Sequence, residues 1–362
     1  MRFFTKAASL LLVLFFMVSV QGSGEEITLA TAKNVFARLH DFMTGDPAEF
    51  RKVHKNGGFL TYDTRIIFVA PQASQAQAVA VALKVPNPAF PHVTELSDWH
   101  AVDVTGSPLW SAHVRRLHGL STIYSDSRCY SAVLYAQGWT KGIANVDSGF
   151  FCLFASSPLV RELPAAEVLK GAIPLRKGDV IAVGSTTAKI PTDHVAVFET
   201  GQLIFQKVSP MSETPFNLVT WDSFLRQWPP ETTGMRFYRP VETLEAFLDR
   251  EKETLTPEMR RYMQELSDLQ TKVEQFTLNH RSDPAFPGNL TGDAEERFFK
   301  EFHDMVSKAR EDGWRISERA EQELLDLKKN GADEEQGKVK IFLWKYIRYL
   351  ADATASYQDP YD

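Results

Sequence analysis

The sequence predicts an α+β fold followed by an all-helical segment, for two reasons. Between residues 110 and 240, one helical stretch precedes runs of β-branched and aromatic residues separated by turn residues, which is typical of a helix followed by antiparallel strands. Beyond residue 241, apolar residues recur at spacings of three and four, as they do along one face of packed helices. The 362 residues are enough for two or three domains.

The composition is that of a globular protein, with 44% hydrophobic and 24% charged residues. A formal net charge of −6 lacks the basic footprint of nucleic-acid binding, so we expect no nucleic-acid partner. Histidines are scattered without metal-ligand spacing, and we expect neither a metal nor a cofactor. The histidines considered are His40, His54, His92, His100 and His113.

Residues 1–24 have the three parts of a secretory signal peptide. Arg2 and Lys6 flank the start of an apolar run that ends at Val20, and small residues follow as far as Gly24. We therefore expect a cleaved signal and a periplasmic or secreted protein with no transmembrane span after cleavage. An uncleaved membrane anchor is the alternative, which the short apolar run disfavours because a span needs about 20 apolar residues.

Residues 25–109 are predicted to form an N-terminal accessory α+β region. Apolar residues at helical spacing indicate a helix within 25–56. The run Phe59–Ala70 is rich in β-branched and aromatic residues and predicts one strand. Gln75–Lys84 predicts a second helix. This region carries no chemical motif.

Residues 110–240 hold the helix and strands that define the fold class. A helix over 129–138 is expected to end at Gly138, because glycine is a natural C-terminal helix stop. A glycine-containing turn joins two of the predicted strands into a hairpin. Strands are expected at 179–183, 193–198, 203–208 and 235–239, and a short helix at 221–228.

Residues 241–362 are predicted to form a helical hairpin or bundle. Thr256 is an N-cap followed by proline at the first helical position, and further helices are expected over 293–329 and 335–357. We favour an antiparallel hairpin or three-helix bundle that packs on itself; a coiled coil that dimerises or binds a protein partner is the alternative. The a/d stripe of the first helix consists of Leu255, Met259, Tyr262, Leu266, Leu269, Val273 and Phe276.

Cys129 is the candidate nucleophile. It stands where a loop turns into a helix, and the positive end of the helix dipole stabilises the reactive thiolate there. Cys152, the other of the two cysteines, lies in an apolar run and is interpreted as a small core residue. Since exported proteins often pair their cysteines, a Cys129–Cys152 disulfide is the alternative.

His194 and Gln206 are the candidates for the base and the residue that orients it. A thiol nucleophile needs an imidazole to take its proton, and the imidazole needs a third group to fix its tautomer. His194 opens one predicted strand and Gln206 lies on the strand that returns after the hairpin, so the two side chains can approach each other. The glutamine carbonyl can accept the imidazole N–H.

The order of these motifs resembles the NlpC family of cell-wall cysteine peptidases, which have a papain-like fold. The resemblance covers residues 110–240 and implies an NlpC-type domain whose N-terminal helix bears the cysteine and whose antiparallel sheet bears the histidine. It implies Cys129 as nucleophile, His194 as base and Gln206 as orienting residue. The matching motifs are the helix-start cysteine, Gly178-Asp179, His194-Val195-Ala196-Val197, Gln206 and Tyr238-Arg239.

The resemblance implies an exported thiol hydrolase that cleaves amide bonds in peptidoglycan stem peptides through an acyl-enzyme. Peptidoglycan or a peptide is thus the expected substrate, and the C-terminal helices are the place for a protein partner. One alternative is a papain-like acyltransferase or amidase that uses the same residues on a lipid or amine substrate. Another is a non-catalytic exported binding module with the Cys129–Cys152 disulfide.

Overall fold

The computed structural model describes most of the chain after residue 56. The predicted signal peptide at 1–24 and the predicted helix within 25–56 lie outside the described residues, as does the stretch 119–128 that precedes Cys129. The described ranges are 57–62, 65–89, 92–93, 99–118, 129–200, 203–207, 216–281, 292–329 and 335–357.

Strands and helices intermingle as far as Pro240, and helices follow from Leu244 onward. The strands are β1 (Gly58–Tyr62), β2 (Arg65–Ala70), β3 (His92–Val93), β4 (Trp99–Asp103), β5 (Val160–Leu163), β6 (Val180–Gly184), β7 (His194–Phe198), β8 (Leu203–Gln206), β9 (Asn217–Thr220) and β10 (Gly234–Pro240). The helices are α1 (Ala73–Ala82), α2 (Ala112–Leu117), α3 (Cys129–Ala136), α4 (Ser148–Ala155), α5 (Ala165–Leu169), α6 (Trp221–Gln227), α7 (Leu244–Arg250), α8 (Pro257–Arg281), α9 (Asp293–Lys329) and α10 (Glu335–Ala355).

The first sheet has the strand order β1-β2-β4-β3. The single strand predicted over Phe59–Ala70 is wrong, because this run forms two strands that pair antiparallel from Gly58↔Val69 to Tyr62↔Arg65. The run is longer than the usual strand of about five or six residues. Folding it in two lets each half satisfy the backbone N–H and C=O groups of the other.

The second sheet is antiparallel, with the strand order β5-β10-β6-β7-β8-β9. The predicted hairpin is confirmed, since β7 pairs with β8 through Val197↔Phe205 and Phe198↔Ile204. The helices predicted at 129–138 and 221–228 are present as α3 and α6. Gly138 follows the end of α3 with a left-handed φ of 73°, which is the conformation that makes glycine a helix stop.

Alternate residues of the second sheet project to opposite faces. Val195 and Val197 belong to an apolar cluster with residues of α3 and α4. Ala196 and Ile204 belong to another cluster with Phe224 of α6 and with α5. Helices therefore cover both faces, with α3 and α4 on one and α5 and α6 on the other.

The hydrophobic cores cross the domain boundaries predicted after residues 109 and 240. Ala132 of α3 lies in one apolar cluster with Trp110 and with residues of the first sheet. Trp139, which follows α3, contacts Phe342 of α10 with ring centroids 6.0 Å apart. Both flanking regions therefore bury apolar surface against the central one, which couples their folding to it.

The C-terminal helices α8, α9 and α10 pack against one another. Thr256 caps α8, its hydroxyl oxygen accepting the Met259 N–H at 3.2 Å. The predicted a/d stripe faces the core. At Gly313 of α9, an added Cβ would lie 2.8 Å from the Ala351 carbonyl oxygen of α10, so glycine permits the close approach. Among the described residues, these helices and the others are too short or too polar to cross a bilayer.

Candidate active site

Cys129 is the first residue of α3 and is 8% exposed. The first N–H groups of a helix have no intrahelical acceptor, and the helix dipole favours negative charge at that end. The thiol thus stands where a thiolate is stabilised. Cys129 and Cys152 are not joined by a disulfide, so the disulfide alternative is wrong for this structure.

Cys152 is less buried than the sequence predicted. It lies on α4, where Phe150, Phe151 and Phe154 face the core and Cys152 is half-buried on the other side. Burial raises the pKa of its thiol, and the nearby Asp147 carboxylate adds to this. A raised pKa disfavours the thiolate, so Cys152 is chemically the less reactive kind of cysteine.

The His194 and Gln206 side chains contact each other on the α6 face of the second sheet. The His194 Nε2 atom donates to Gln206 Oε1 at 2.7 Å, which is the approach that the hairpin predicted. His194 is 2% exposed and Gln206 is fully buried. Because Nε2 carries the proton in this bond, Nδ1 keeps a lone pair. The Trp228 indole stacks on the imidazole, with ring centroids 5.4 Å apart and planes 8° apart.

Burial lowers the pKa of His194 to about 4, and the hydrogen bond that the ring donates to Gln206 opposes this only in part. Removing a charged imidazolium from water is unfavourable, so the neutral ring is the form that the native protein holds near neutral pH. A neutral imidazole with a lone pair on Nδ1 can accept a proton, which is what a general base must do.

The lowered pKa of His194 predicts a specific loss of stability in acid. Between pH 6.5, the ordinary pKa, and about 4, the unfolded chain binds a proton at His194 that the native chain does not. The native state therefore loses about 3 kcal/mol of stability on acidification through this window, and regains it as the pH rises.

Urea unfolding at pH 7 and pH 4 measures this loss. The matched variant is His194→Gln, which has no proton to gain there and should lose less stability than the wild type over the same interval. Equal losses in the two proteins would show that His194 does not carry the effect.

The thiol and the imidazole approach the start of β7 from different sides. Tyr130, next to Cys129, donates its hydroxyl to the Thr192 carbonyl, two residues before His194. Cys129 belongs to the cluster on the face of Val195, whereas the His194 ring contacts Phe224 and Trp228 on the other face. The structure thus places the His194 and Gln206 side chains in contact on one face of the sheet. The start of α3, which carries Cys129, lies near the start of β7 on the other face.

The Gly178-Asp179 and Tyr238-Arg239 motifs form a buried ion pair at the other end of β7 from His194, because Val180 pairs with Val197 and Val183 pairs with His194. Arg239 Nε donates to Asp179 Oδ1 at 2.9 Å and its Nη2 donates to Oδ2 at 2.6 Å. Asp179 also accepts the Arg176 N–H at 2.8 Å. The bidentate pair joins the start of β6 to β10, which fixes the sheet that carries His194.

A second buried polar cluster holds α2 against the end of β7. Glu199 is fully buried and its Oε1 lies 2.5 Å from both Ser111 Oγ and His113 Nε2, with Lys177 Nζ 3.8 Å from Oε2. Ser111 Oγ and Glu199 Oε1 both contact the same ring nitrogen, His113 Nε2, so this Ser-His-Glu group is not arranged as a proton relay through the two nitrogens of the ring. We interpret it as structural.

Two residues of the site were missed by reasoning from the sequence. Trp228 stacks on His194 although it lies far along the chain, and Asn217 stands directly opposite Gln206 on β9. Asn217 opens β9, the strand that follows β8 in the chain, and this adjacency is the signal that could have found it. No local pattern marks Trp228 as a neighbour of His194.

Comparison of the chain with models of protein families, with curated proteins and with solved structures finds no match. Within the described residues, no group of three or more His, Cys, Asp or Glu side chains is arranged to hold a metal ion. The assignment of chemistry therefore depends on the geometry of Cys129, His194 and Gln206.

Proposed function

We propose that the chain is an exported thiol hydrolase with an NlpC-type, papain-like catalytic region that cleaves amide bonds in peptidoglycan stem peptides. Cys129 is the nucleophile, His194 the base and Gln206 the residue that orients the imidazole. The buried hydrogen bond between His194 Nε2 and Gln206 Oε1 carries this proposal, because it leaves Nδ1 as the proton acceptor. The α+β fold, with cysteine at a helix start and histidine at a strand start, supports it.

In the proposed reaction, His194 Nδ1 accepts the thiol proton and Cys129 Sγ attacks the amide carbonyl carbon. The C–N bond breaks, the imidazolium gives its proton to the leaving amine, and a thioester acyl-enzyme remains. The same nitrogen then takes a proton from water, and the hydroxide attacks the thioester. Collapse of this second intermediate releases the carboxylic acid and returns the proton to sulfur.

In the proposed mechanism, the thiol and the imidazole meet at the start of β7. His194 is the first residue of that strand, so the thiol and the imidazole have to approach each other around the start of the strand. The contact between Tyr130 and the Thr192 carbonyl holds the start of α3 beside this end. Catalysis requires Sγ and Nδ1 to come within about 4 Å, a looser approach than an ideal hydrogen bond, as in many unliganded sites.

An acyltransferase or amidase acting on a lipid or amine substrate is the second candidate function. It would use the same cysteine and histidine, but an acyltransferase passes the acyl group to an amine or alcohol instead of water. The aromatic wall of Phe224 and Trp228 around His194 favours it, because such a wall suits an apolar acyl chain.

Digestion of purified peptidoglycan tests the proposed function. The wild type should release new amino ends, and Cys129→Ala should release none above background, because the attacking sulfur is gone. Cys152→Ala is the matched control and should retain the release of the wild type, since its thiol is outside the proposed site.

Equal release by the wild type and by Cys129→Ala would end the assignment of Cys129. If neither protein releases amino ends, a second assay with an acyl lipid and an amine acceptor separates the candidate functions. Transfer that depends on Cys129 would then identify the acyltransferase.

A further inference from the structure

The protonation of His194 depends on which way the Gln206 amide points. When Gln206 Oε1 faces the ring, Nε2 of the imidazole carries the proton and Nδ1 keeps its lone pair. If the amide were turned over, its NH₂ group would donate to the imidazole Nε2, and the ring proton would move to Nδ1. The imidazole would then have no lone pair on Nδ1, the nitrogen that the proposed reaction uses as the proton acceptor.

The amide nitrogen of Gln206 needs an acceptor to hold the productive direction. Gln206 is fully buried, and its Nε2 has no hydrogen-bond partner. The Oδ1 atom of Asn217 is likewise buried and without a hydrogen-bond partner. Leaving a buried donor and a buried acceptor both unpaired is unfavourable, and it is relieved when the two bind each other.

Strand pairing places these two groups side by side. Gln206 on β8 stands directly opposite Asn217 on β9, and opposed residues of an antiparallel pair project to the same face with Cβ atoms about 4.5–5.5 Å apart. Ile204 and Val219, two positions along each strand, both pack in the cluster of the α6 face. The Gln206 and Asn217 side chains therefore share that face with the His194 ring.

We propose that Asn217 is a positioning residue: its Oδ1 accepts a hydrogen bond from Gln206 Nε2 and thereby keeps Gln206 Oε1 turned toward His194. Rotation about the terminal side-chain torsions, which have broad preferences, brings the two amides together without movement of the strands. The chain Asn217–Gln206–His194 then selects the tautomer with the lone pair on Nδ1. The role of this tautomer in catalysis rests on the proposed function, but the selection of the tautomer by Asn217 does not.

Trp228 supplies a competing donor. Its Nε1 is also buried without a hydrogen-bond partner, and its ring lies against His194. A carbonyl oxygen has two lone pairs, so Asn217 can accept from Gln206 even if the indole also donates to it. The experiment must therefore detect the hydrogen bond of the Gln206 amide and the protonation of the His194 ring separately from any hydrogen bond of the Trp228 indole.

Nitrogen NMR of the full chain, labelled with ¹⁵N and ¹³C and recorded at a pH where His194 is neutral, tests the proposal. In the wild type, His194 should be protonated at Nε2 alone, and the Gln206 amide protons should correlate across the hydrogen bond with the Asn217 carbonyl. Asn217→Leu, which removes the acceptor at similar size, should give a mixture of the two tautomers. Asn217→Asp, which keeps an acceptor, should restore the single tautomer.

Gln206→Glu supplies the control for a merely structural effect. A carboxylate offers an acceptor oxygen in either orientation, so adding Asn217→Leu to this background should leave the His194 tautomer unchanged. A single Nε2-protonated tautomer in Asn217→Leu would overturn the proposal, as would a correlation of the Asn217 carbonyl with the Trp228 indole alone. The wild-type correlation decides the matter even if a variant fails to fold.

Activity separates this inference from the proposed function. If the wild type cleaves peptidoglycan, Asn217→Leu should lower kcat several-fold and leave KM unchanged, because the base is lost in the fraction with the wrong tautomer. If the wild type cleaves nothing while the tautomer responds as expected, the proposed function fails and the positioning role stands.

Discussion

Replacing Arg239 with methionine should lower the free energy of unfolding by about 3–5 kcal/mol, the usual cost of removing one partner of a buried ion pair. Asp179 is 1% exposed, and Arg239 donates to both of its carboxylate oxygens. Without the guanidinium, the carboxylate stays buried with only the Arg176 N–H as a hydrogen-bond donor. The start of β6 then keeps its backbone pairing with β10 but loses the side-chain ion pair.

Urea unfolding with the matched variant Arg236→Met measures this effect. Arg236 lies on the same strand, but its ion pair with Glu162 is largely exposed to solvent, so its removal should cost less than about 1 kcal/mol. The double variant Asp179→Leu/Arg239→Met should recover most of the loss, because it leaves no unpaired buried charge. Equal costs for Arg236→Met and Arg239→Met would contradict the assigned role of the buried pair.

Replacing Trp139 with alanine should destabilise the whole chain by about 3–5 kcal/mol, as large-to-small core substitutions do. Its ring packs edge-on against Phe154 of α4 and Phe342 of α10, with centroids 5.3 and 6.0 Å apart. The Trp139 carbonyl also accepts the Tyr346 hydroxyl at 3.0 Å. The cavity would therefore open between the sheet-bearing part and the helical tail.

Circular dichroism in the near and far ultraviolet shows whether the sheet-bearing part and the helical tail unfold together. In Trp139→Ala, the aromatic signal and the helical signal should both move to the same lower unfolding midpoint, because the two parts share the core. Trp314→Ala is the control, since Trp314 is 59% exposed and its loss should change stability by no more than about 0.5 kcal/mol. A helical signal that keeps its wild-type midpoint in Trp139→Ala would show that the tail folds independently.

Local signals in the sequence predicted most elements correctly. Thr256 caps α8 as expected, Gly138 stops α3, and the apolar stripe from Leu255 to Val273 faces the core. Each of these depends on residues within one or two helical turns of one another, and hydrogen-bonding and burial preferences at that range are expressed directly in residue type.

Errors occurred where the outcome depended on which side of an element faces the core. Cys152 was expected to be buried because its neighbours are apolar, but the helical period of α4 turns it away from the side of Phe150 and Phe154. The run Phe59–Ala70 was expected to be one strand, but its two halves pair with each other. An apolar run does not by itself distinguish these arrangements.

The sequence by itself determined the α+β class, the helical tail and the order of Cys129, His194 and Gln206, because these follow from spacing and residue type. Only the tertiary structure decided that His194 binds Gln206 beneath Trp228, that Asn217 stands opposite Gln206, and that Asp179 binds Arg239. These contacts join residues on different strands and helices. Their formation depends on strand register and on which face of the sheet each helix covers, and both are set by packing between distant parts of the chain.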